Sequence, residues 1–273
     1  MELHEYTVML KHVPARVCII PCGDWHIGSV ACDMRKLKIM LKWIARSKDV
    51  YMIGMGDLID AINISDKRFS PDEIHPEYYG KLSRLVQEQV DTCVGLLEPI
   101  RDKIIGLAIG NHELHITKSY HYDVMTELCG RLQVKYLGWT SITRFRVTKL
   151  KHSTSRVVTI FAEHSLVGGK KKGNKINSLE DRSNDFDCDV YIRGHSHDKI
   201  ATTKTQLYVP RTGKLSIQER KRVYSICPSY FKSYREGSMS YAEVAGYSPT
   251  STGVVRIDLN FDNKMGLDYH IWQ

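Results

Sequence analysis

The chain has 273 residues and a formal net charge of +8, with 42% hydrophobic and 26% charged residues. This length allows one large domain or two small ones, and the composition is ordinary for a soluble globular protein. No stretch approaches the roughly 20 apolar residues needed to cross a bilayer. The first 16 residues carry several charges and no signal-peptide apolar core, so we expect a cytoplasmic protein without membrane association. The seven cysteines form no C-x-x-C pair and lie mostly in apolar runs, which predicts reduced core thiols.

The first half of the chain alternates between predicted strands and helices. Short apolar runs predict buried strands at 17–20, 50–55 and 104–109, and apolar residues at helical spacing predict the helices between them. These helices are one capped by Asp33, a long one over about 78–103 and one over about 118–131. The order β-α-β-α-β-α favours an α/β layer with largely parallel strand pairing.

The second half is predicted to be rich in β-strands. Strands are expected at 142–148, 157–162, 190–192, 206–209, 223–227, 254–259 and 267–272, with one short helix near 176–186. No repeat or low-complexity linker divides the chain. We therefore predict a single domain over residues 1–273, of the α/β class, with two facing mixed β-sheets (a β-sandwich) flanked by helices.

Polar side chains that can bind metals directly follow five of the predicted strands. The central case is Gly110-Asn111-His112-Glu113, where an apolar strand ends in an amide, an imidazole and a carboxylate. Taken alone, this segment is equally consistent with a polar turn. The arrangement recurs four more times, and α/β folds place their chemistry at the carboxyl ends of strands. The full set is Asp24, His26, Asp57, Asn111, His112, His164, His195 and His197.

Residue type and spacing in this set point to a divalent metal centre. Residues two apart in an extended segment face the same side, so Asp24 and His26 can converge on one ion, as can His195 and His197. Mixed carboxylate, imidazole and amide donors suit ions such as Mn, Fe or Zn. A structural zinc site would instead require thiolates or a closed tetrahedral set. Eight such residues are enough for a binuclear centre with a bridging carboxylate.

These segments resemble the calcineurin-like metallophosphoesterase superfamily over most of the chain. The matching blocks are Asp24-Trp25-His26, Gly56-Asp57, Gly110-Asn111-His112-Glu113, His164 and Gly194-His195-Ser196-His197. The resemblance implies that one metal is held by Asp24, His26, Asp57 and His197, and a second by Asp57, Asn111, His164 and His195. It implies two divalent ions, with Mn expected first and Fe, Zn or Mg as alternatives, which would provide a hydroxide for attack on phosphorus.

The same resemblance gives roles to residues beside the metal ligands. His112 would bind no metal and would contact the phosphate or protonate the leaving oxygen, so His112 and the bridging Asp57 are the predicted catalytic residues. Asp60 and Glu113 are expected to orient ligand imidazoles, or else to cap the loops in which they lie.

The sequence around the second block favours one substrate class. Protein serine/threonine phosphatases have the pattern Gly-Asp-x-x-Asp-Arg-Gly, whereas here Asp60 is followed by Ala61, so the phosphate-gripping arginine is missing. Segments 24–28 and 56–60 look more like the DNA-repair exonuclease branch and its small phage forms. We therefore expect phosphodiester hydrolysis on nucleic acid or nucleotides. A phosphomonoesterase for small molecules or phosphoproteins and a non-catalytic scaffold that keeps the fold are the alternatives.

Basic residues support a nucleic-acid substrate. Between Lys199 and Arg235 there are nine Lys or Arg against one acid, a net +8 that leaves the rest of the chain near zero. Aromatic residues interleave with these cations, which is typical of single-strand binding. The predicted substrate-binding residues are Asn111, His112, Lys170, Lys171, Lys172, Arg220 and Arg222. The alternative is that these basic residues form the solvated rim of a strand and that the tyrosines lie in the core.

Overall fold

The computed structural model describes residues 1–62, 66, 69–150, 154–166, 169, 171–236, 243, 246 and 248–273. The predicted substrate-binding residue Lys170 lies outside the described residues.

Two mixed β-sheets form the framework of the fold. The six-stranded sheet has the spatial order β1 (Glu2–Leu10), β5 (Thr140–Lys149), β6 (Ser155–His164), β7 (Val190–Gly194), β9 (Gln218–Ile226) and β8 (Ile200–Tyr208). The five-stranded sheet has the order β11 (Leu267–Trp272), β10 (Arg256–Phe261), β2 (Ala15–Cys22), β3 (Val50–Gly54) and β4 (Ile104–Leu107). Strands β2, β3 and β4 pair in parallel, while β10 pairs antiparallel to β2. The predicted pair of mixed sheets is confirmed.

Helices flank the sheets, as expected. They are α1 (Met34–Arg46), α2 (Leu85–Leu97), α3 (Asn111–Tyr120), α4 (Val124–Leu132), α5 (Lys172–Glu180) and α6 (Arg182–Asp185). Short 3-10 helices lie at Pro71–Glu73, Pro76–Tyr78, Leu82–Arg84 and Glu98–Lys103.

Three apolar layers hold these elements together. Residues of both sheets, such as Ile19 and Phe145, form the layer between the sheets. A second layer packs the five-stranded sheet against α1, α2 and α4, with Leu37 among its buried residues. A third packs the six-stranded sheet against α5, through Phe161 and Leu179. Central strands are therefore covered on both faces, which is why they are continuous apolar runs in the sequence.

Two predicted helices differ from the structure. The long helix expected over 78–103 is α-helical only over Leu85–Leu97 and continues as a 3-10 turn. Pro99 lies in that turn, and a proline in a helix interior removes a hydrogen bond and clashes with the preceding turn. The helix expected over about 118–131 is two helices, α3 and α4, separated by the cap residues His121 and Asp123. Because α3 begins at Asn111, Asn111 and His112 occupy its first turn rather than a loop.

Strand β1 was not predicted. It pairs in parallel with β5 along its whole length, from Glu2 opposite Ser141 to Leu10 opposite Lys149. Val8 and Leu10 are its two buried residues and the others are exposed or half-buried, so β1 is not the continuous apolar run by which the central strands were predicted. All seven cysteines are free and buried, as expected. Among the described residues, the helices are too short or too polar to span a membrane.

Candidate metal centre

The predicted ligands lie at strand ends that meet at one edge of the two sheets. Asp24, Asp57 and Asn111 follow β2, β3 and β4 of the five-stranded sheet. His164 ends β6, and His195 directly follows the parallel strand β7 of the other sheet. Because parallel strands have their carboxyl ends at a common edge, the two sheets together supply one set of donors.

The donors form two adjoining clusters, in each of which the ligand atoms lie within 4.8 Å of one another. The first cluster is Asp24, His26 and His197, and the second cluster is Asp57, His164 and His195. Asn111 belongs with the second cluster, because its Oδ1 lies 3.2 Å from His164 Nε2. A further group of His26, Asp60 and His112 adjoins the first cluster. The structure thus brings together all seven predicted metal ligands.

The backbone that produces this convergence is not extended. Five of the ligands have left-handed backbone conformations, with φ values of 51° (Asp24), 51° (His26), 49° (Asp57), 77° (His195) and 57° (His197). Each such residue costs roughly 1–2 kcal/mol, and such strain gathers at functional sites. The expected convergence of Asp24 with His26 occurs, but through tight turns. His195 and His197 separate into different clusters instead of meeting at one point.

In the second cluster, hydrogen bonds fix which nitrogen of His164 faces the other donors. Nδ1 of His164 donates to the Met55 carbonyl at 2.6 Å. Nε2 therefore faces Asp57 Oδ2 at 3.3 Å and Asn111 Oδ1 at 3.2 Å. An imidazole held by a carbonyl in this way presents its other nitrogen to a metal.

In the first cluster, Asp24 links the two halves of the centre. Its carboxylate accepts the His195 backbone N–H at 3.0 and 3.1 Å and lies 3.3 Å from His197 Nε2. The Nε2 atoms of His26 and His197 face one another at 3.4 Å. The two ring nitrogens therefore point to a common space beside the Asp24 carboxylate. A cation shared by these three residues requires this arrangement.

The electrostatics of the clusters favour ionised carboxylates. Burial raises the pKa of Asp57, but the imidazoles of His164 and His112 outweigh it and hold that pKa well below its usual range. The pKa of Asp24 is likewise lowered, because His197 and His164 outweigh its burial. Burial lowers the pKa of His164, but Asp57 and Asp24 outweigh it and raise the value to about 10.

The donor set fits two divalent cations. Nδ1 of His195 is buried and has no hydrogen-bond partner within the described part of the chain. Burial lowers the pKa of His195 to about 4, so this ring is neutral and has a lone pair available near neutral pH. Imidazole nitrogens, ionised carboxylates and an amide oxygen are the ligands of Mn, Fe and Zn.

Glu113 holds the loop that carries Asp57. Its fully buried carboxylate accepts four backbone N–H groups: Asp57 and Gly110 at 3.0 Å on Oε2, and Leu58 at 2.6 Å and Ile59 at 3.2 Å on Oε1. A Cβ at Gly110 would lie 2.1 Å from Asp57 Oδ1, so only glycine fits there. Of the two expectations for Glu113, the structure supports the loop cap.

Asp60 orients two imidazoles, in agreement with the other expectation. Nδ1 of His112 donates to the backbone carbonyl of Asp60. The Asp60 carboxylate lies 3.5 Å from His26 Nδ1 and 4.0 Å from His112 Nδ1. The backbone N–H of His112 donates to Asp57 Oδ1 at 2.9 Å, so His112 is fixed at the edge of the second cluster.

Of the predicted basic residues, those around α5 lie near the centre. Lys172 Nζ is 4.0 Å from Asp198, the residue after His197, and Lys171 is exposed just before it. Sequence reasoning missed Lys175, whose Nζ bonds Asp198 Oδ2 at 2.5 Å and the Ser196 carbonyl at 3.1 Å. The sequence signal that could have identified Lys175 is its position one helical turn after the run of lysines.

Arg220 and Arg222 are not brought together with the metal ligands. Arg220 pairs with Asp187 and Asp189, and Arg222 pairs with Asp187 at 2.7 Å. In the parallel pair of β7 and β9, Ile226 lies opposite Arg193 at the metal end. Arg220 precedes Ile226 by six residues, which places it about 20 Å from that end.

Two partly exposed aromatic rings flank the clusters. The ring of Phe231 lies 5.0 Å from that of His26 and 5.9 Å from that of His197. The ring of Trp139 lies 5.4 Å from that of His164, and no local sequence signal marks it. Trp25 and the tyrosines at 224 and 230 are buried, so they do not face a ligand.

Solved structures with a similar chain course are distant in sequence. A conserved protein of Streptococcus pneumoniae TIGR4 described as a predicted phosphoesterase is 10% identical, with 95% of this chain and 90% of that chain covered and a TM-score of 0.38. Vps29 of Chaetomium thermophilum is 11% identical, with 94% of each chain covered and a TM-score of 0.39. A metallophosphoesterase of Sphaerobacter thermophilus is 12% identical, with 94% of this chain and 89% of that chain covered and a TM-score of 0.36. A search of curated proteins found no match.

A family model gives a direct assignment. The model for calcineurin-like phosphoesterases matches residues 19–199, about two thirds of the chain. The matched segment contains every candidate ligand from Asp24 to His197. The chain therefore belongs to the calcineurin-like phosphoesterase family.

Proposed function

We propose that this protein is a binuclear-metal phosphodiesterase that acts on nucleic acid or nucleotides. The observation that carries the proposal is the pair of adjoining donor clusters with His112 fixed beside them. In this family, such a centre is expected to hold divalent metals.

Two cations would be held by this chain's own residues. Asp24, His26 and His197 would hold one, and His164, His195 and Asn111 the other, with Asp57 shared between them. When bound, such cations polarise phosphoryl oxygens and make hydroxide available near neutral pH. Mn is the expected ion, with Fe, Zn and Mg as alternatives.

His112 is the proposed proton donor to the leaving oxygen. Because Nδ1 donates to the Asp60 carbonyl, Nε2 is the nitrogen that exchanges a proton with substrate. The ring packs edge-on against that of His26 in the first cluster, with centroids 4.6 Å apart, while the backbone N–H of His112 bonds Asp57 in the second cluster. His112 is therefore held where the two clusters adjoin. A positioned imidazole of this kind is typical of general acid catalysis.

The surroundings of the centre support a nucleotide-containing diester. Ala61 occupies the position at which protein phosphatases have their arginine. Its backbone N–H donates a hydrogen bond to Gln89 Oε1 at 2.8 Å. Phe231 and Trp139 are on opposite clusters, where bases on either side of a phosphate could stack on them. Lys171 and Lys172 could meet the adjoining phosphates.

A substrate panel tests this function. Bis(p-nitrophenyl) phosphate, p-nitrophenyl phosphate and single-stranded oligonucleotides are each supplied in defined Mn, Zn and Mg. We expect cleavage of the diester and of the oligonucleotides, and a His112→Ala protein that keeps its metal but loses about 10²–10⁴-fold in turnover. Turnover of the monoester with intact oligonucleotides would refute a phosphodiesterase. A metal-loaded protein inactive on all three would indicate a scaffold.

A further inference from the structure

Helix α1 has an exposed face that is strongly cationic. Residues 34–48 contain six Lys or Arg and no acid, although the chain outside 199–235 is nearly neutral overall. Arg35, Lys38, Lys42 and Arg46 follow one another at spacings of three, four and four residues. At about 100° per residue they lie within about 80° of one another, so they form one row, here named the cationic stripe.

The cationic stripe is exposed and is not neutralised by neighbours. All four residues of the stripe are exposed, and none of them forms an ion pair within the described part of the chain. Ile39 and Trp43 flank the stripe and are 58% and 39% exposed. This contrasts with Arg220 and Arg222, whose charges are taken up by Asp187 and Asp189.

The stripe begins beside the metal centre. Asp33, the N-cap of α1, donates its backbone N–H to the Tyr230 carbonyl at 2.7 Å. The next residue, Phe231, packs its ring 5.0 Å from that of His26. From there α1 runs away from the centre, and the twelve residues from Arg35 to Arg46 span about 17 Å.

We propose that the cationic stripe binds the phosphate backbone of a nucleic-acid strand whose scissile phosphate lies at the metal centre. At a rise of about 3.4 Å per nucleotide, 17 Å corresponds to about five nucleotides of one strand. Trp43 adds an exposed ring on which a base can stack. This inference rests on the proposed function and names the surface that would distinguish a polynucleotide from a small ester.

The buried face of α1 argues against an anionic membrane as the ligand. Helices that bind membrane surfaces insert a continuous apolar face between lipids. The apolar face of α1, with Leu37, Leu41 and Ile44, is committed to the protein core. Ile39 and Trp43 are the large apolar side chains that α1 leaves exposed, so the exposed surface is suited to counterion release from phosphates rather than to insertion.

The test compares two double variants that lose the same charge. Lys42→Gln/Arg46→Gln removes half of the stripe, and Arg211→Gln/Lys214→Gln removes two exposed cations from the loop between β8 and β9. Binding of a fluorescent single-stranded oligonucleotide is followed by anisotropy in chelator over a range of salt. We expect about 25-fold weaker binding for the stripe variant at about 0.1 M salt and a salt slope smaller by about 1.4. The loop variant should bind like wild type.

Three outcomes would overturn the stripe proposal. These are wild-type affinity in the stripe variant, equal losses in both variants, and loss of binding to phosphatidylserine vesicles with oligonucleotide binding unchanged. Hydrolysis of bis(p-nitrophenyl) phosphate, which is too small to reach α1, should be equal in all three proteins. If wild type does not hydrolyse it, the proposed function fails, while the anisotropy measurement still decides the stripe.

Discussion

Replacing Glu113 with glutamine tests whether the loop bearing Asp57 is held by a buried carboxylate. Each of the two carboxylate oxygens accepts two backbone N–H groups, so four donors depend on it. Glutamine keeps the volume but turns one oxygen into an NH₂ group. In either orientation of the amide, two N–H groups then face another donor and lose their acceptor.

The magnitude follows from these two lost acceptors. A buried donor left without a partner costs about 1–3 kcal/mol, so Glu113→Gln should lower the free energy of unfolding by about 2–6 kcal/mol. That is a large part of the roughly 5–15 kcal/mol that stabilises a typical domain. The assay is urea unfolding in chelator, which removes any contribution from metal binding, with the midpoint read at constant slope.

A matched variant separates this effect from the loss of a charge. The side chain of Glu98 is 49% exposed, and among the residues that the structure describes its one ion pair is with Arg101 at 3.3 Å. Glu98→Gln should therefore change the free energy of unfolding by less than about 0.5 kcal/mol. If Glu113→Gln also stays within about 0.5 kcal/mol of wild type, the four hydrogen bonds do not stabilise the loop and the reasoning is wrong.

The other predictions concern the metals. Asp57→Asn should leave fewer than two ions per chain by elemental mass spectrometry, since the shared charge is lost; two retained ions would contradict the bridging role. Metal binding at about pH 7.5 should release about one proton, because the pKa of His164 is raised to about 10 in the metal-free protein while that of His195 is lowered to about 4. Affinity should therefore rise with pH, and calorimetry in buffers of different ionisation enthalpy measures the proton; no release would contradict the assignment. Lys175→Met should weaken metal binding about 10–100-fold in chelator competition by loosening the loop after β7, whereas the exposed Lys172→Met should not; equal affinities would exclude a positioning role for Lys175.

The amino-acid sequence was sufficient to locate the chemistry and the type of fold. Short apolar runs mark buried strands wherever a strand is covered on both faces, and Asp24, Asp57 and His164 stand directly at the ends of such runs. The carboxyl ends of parallel strands meet at one edge, so their convergence follows from strand order alone. Helical spacing also puts the four residues of the cationic stripe on one face of α1, but only the structure shows that this face is exposed.

Only the tertiary structure decided the contacts that depend on strand pairing and on what lies opposite each side chain. Left-handed turns, not extended backbone, send His195 and His197 to different clusters. The register of β9 against β7 places Arg220 far from the metal end, where it forms ion pairs with Asp187 and Asp189. The physical reason is that local sequence encodes burial and periodicity, whereas the partner of a charge is fixed by segments far away in the chain. For Glu113 those partners are the backbone amides of another loop, which the sequence around Glu113 does not reveal.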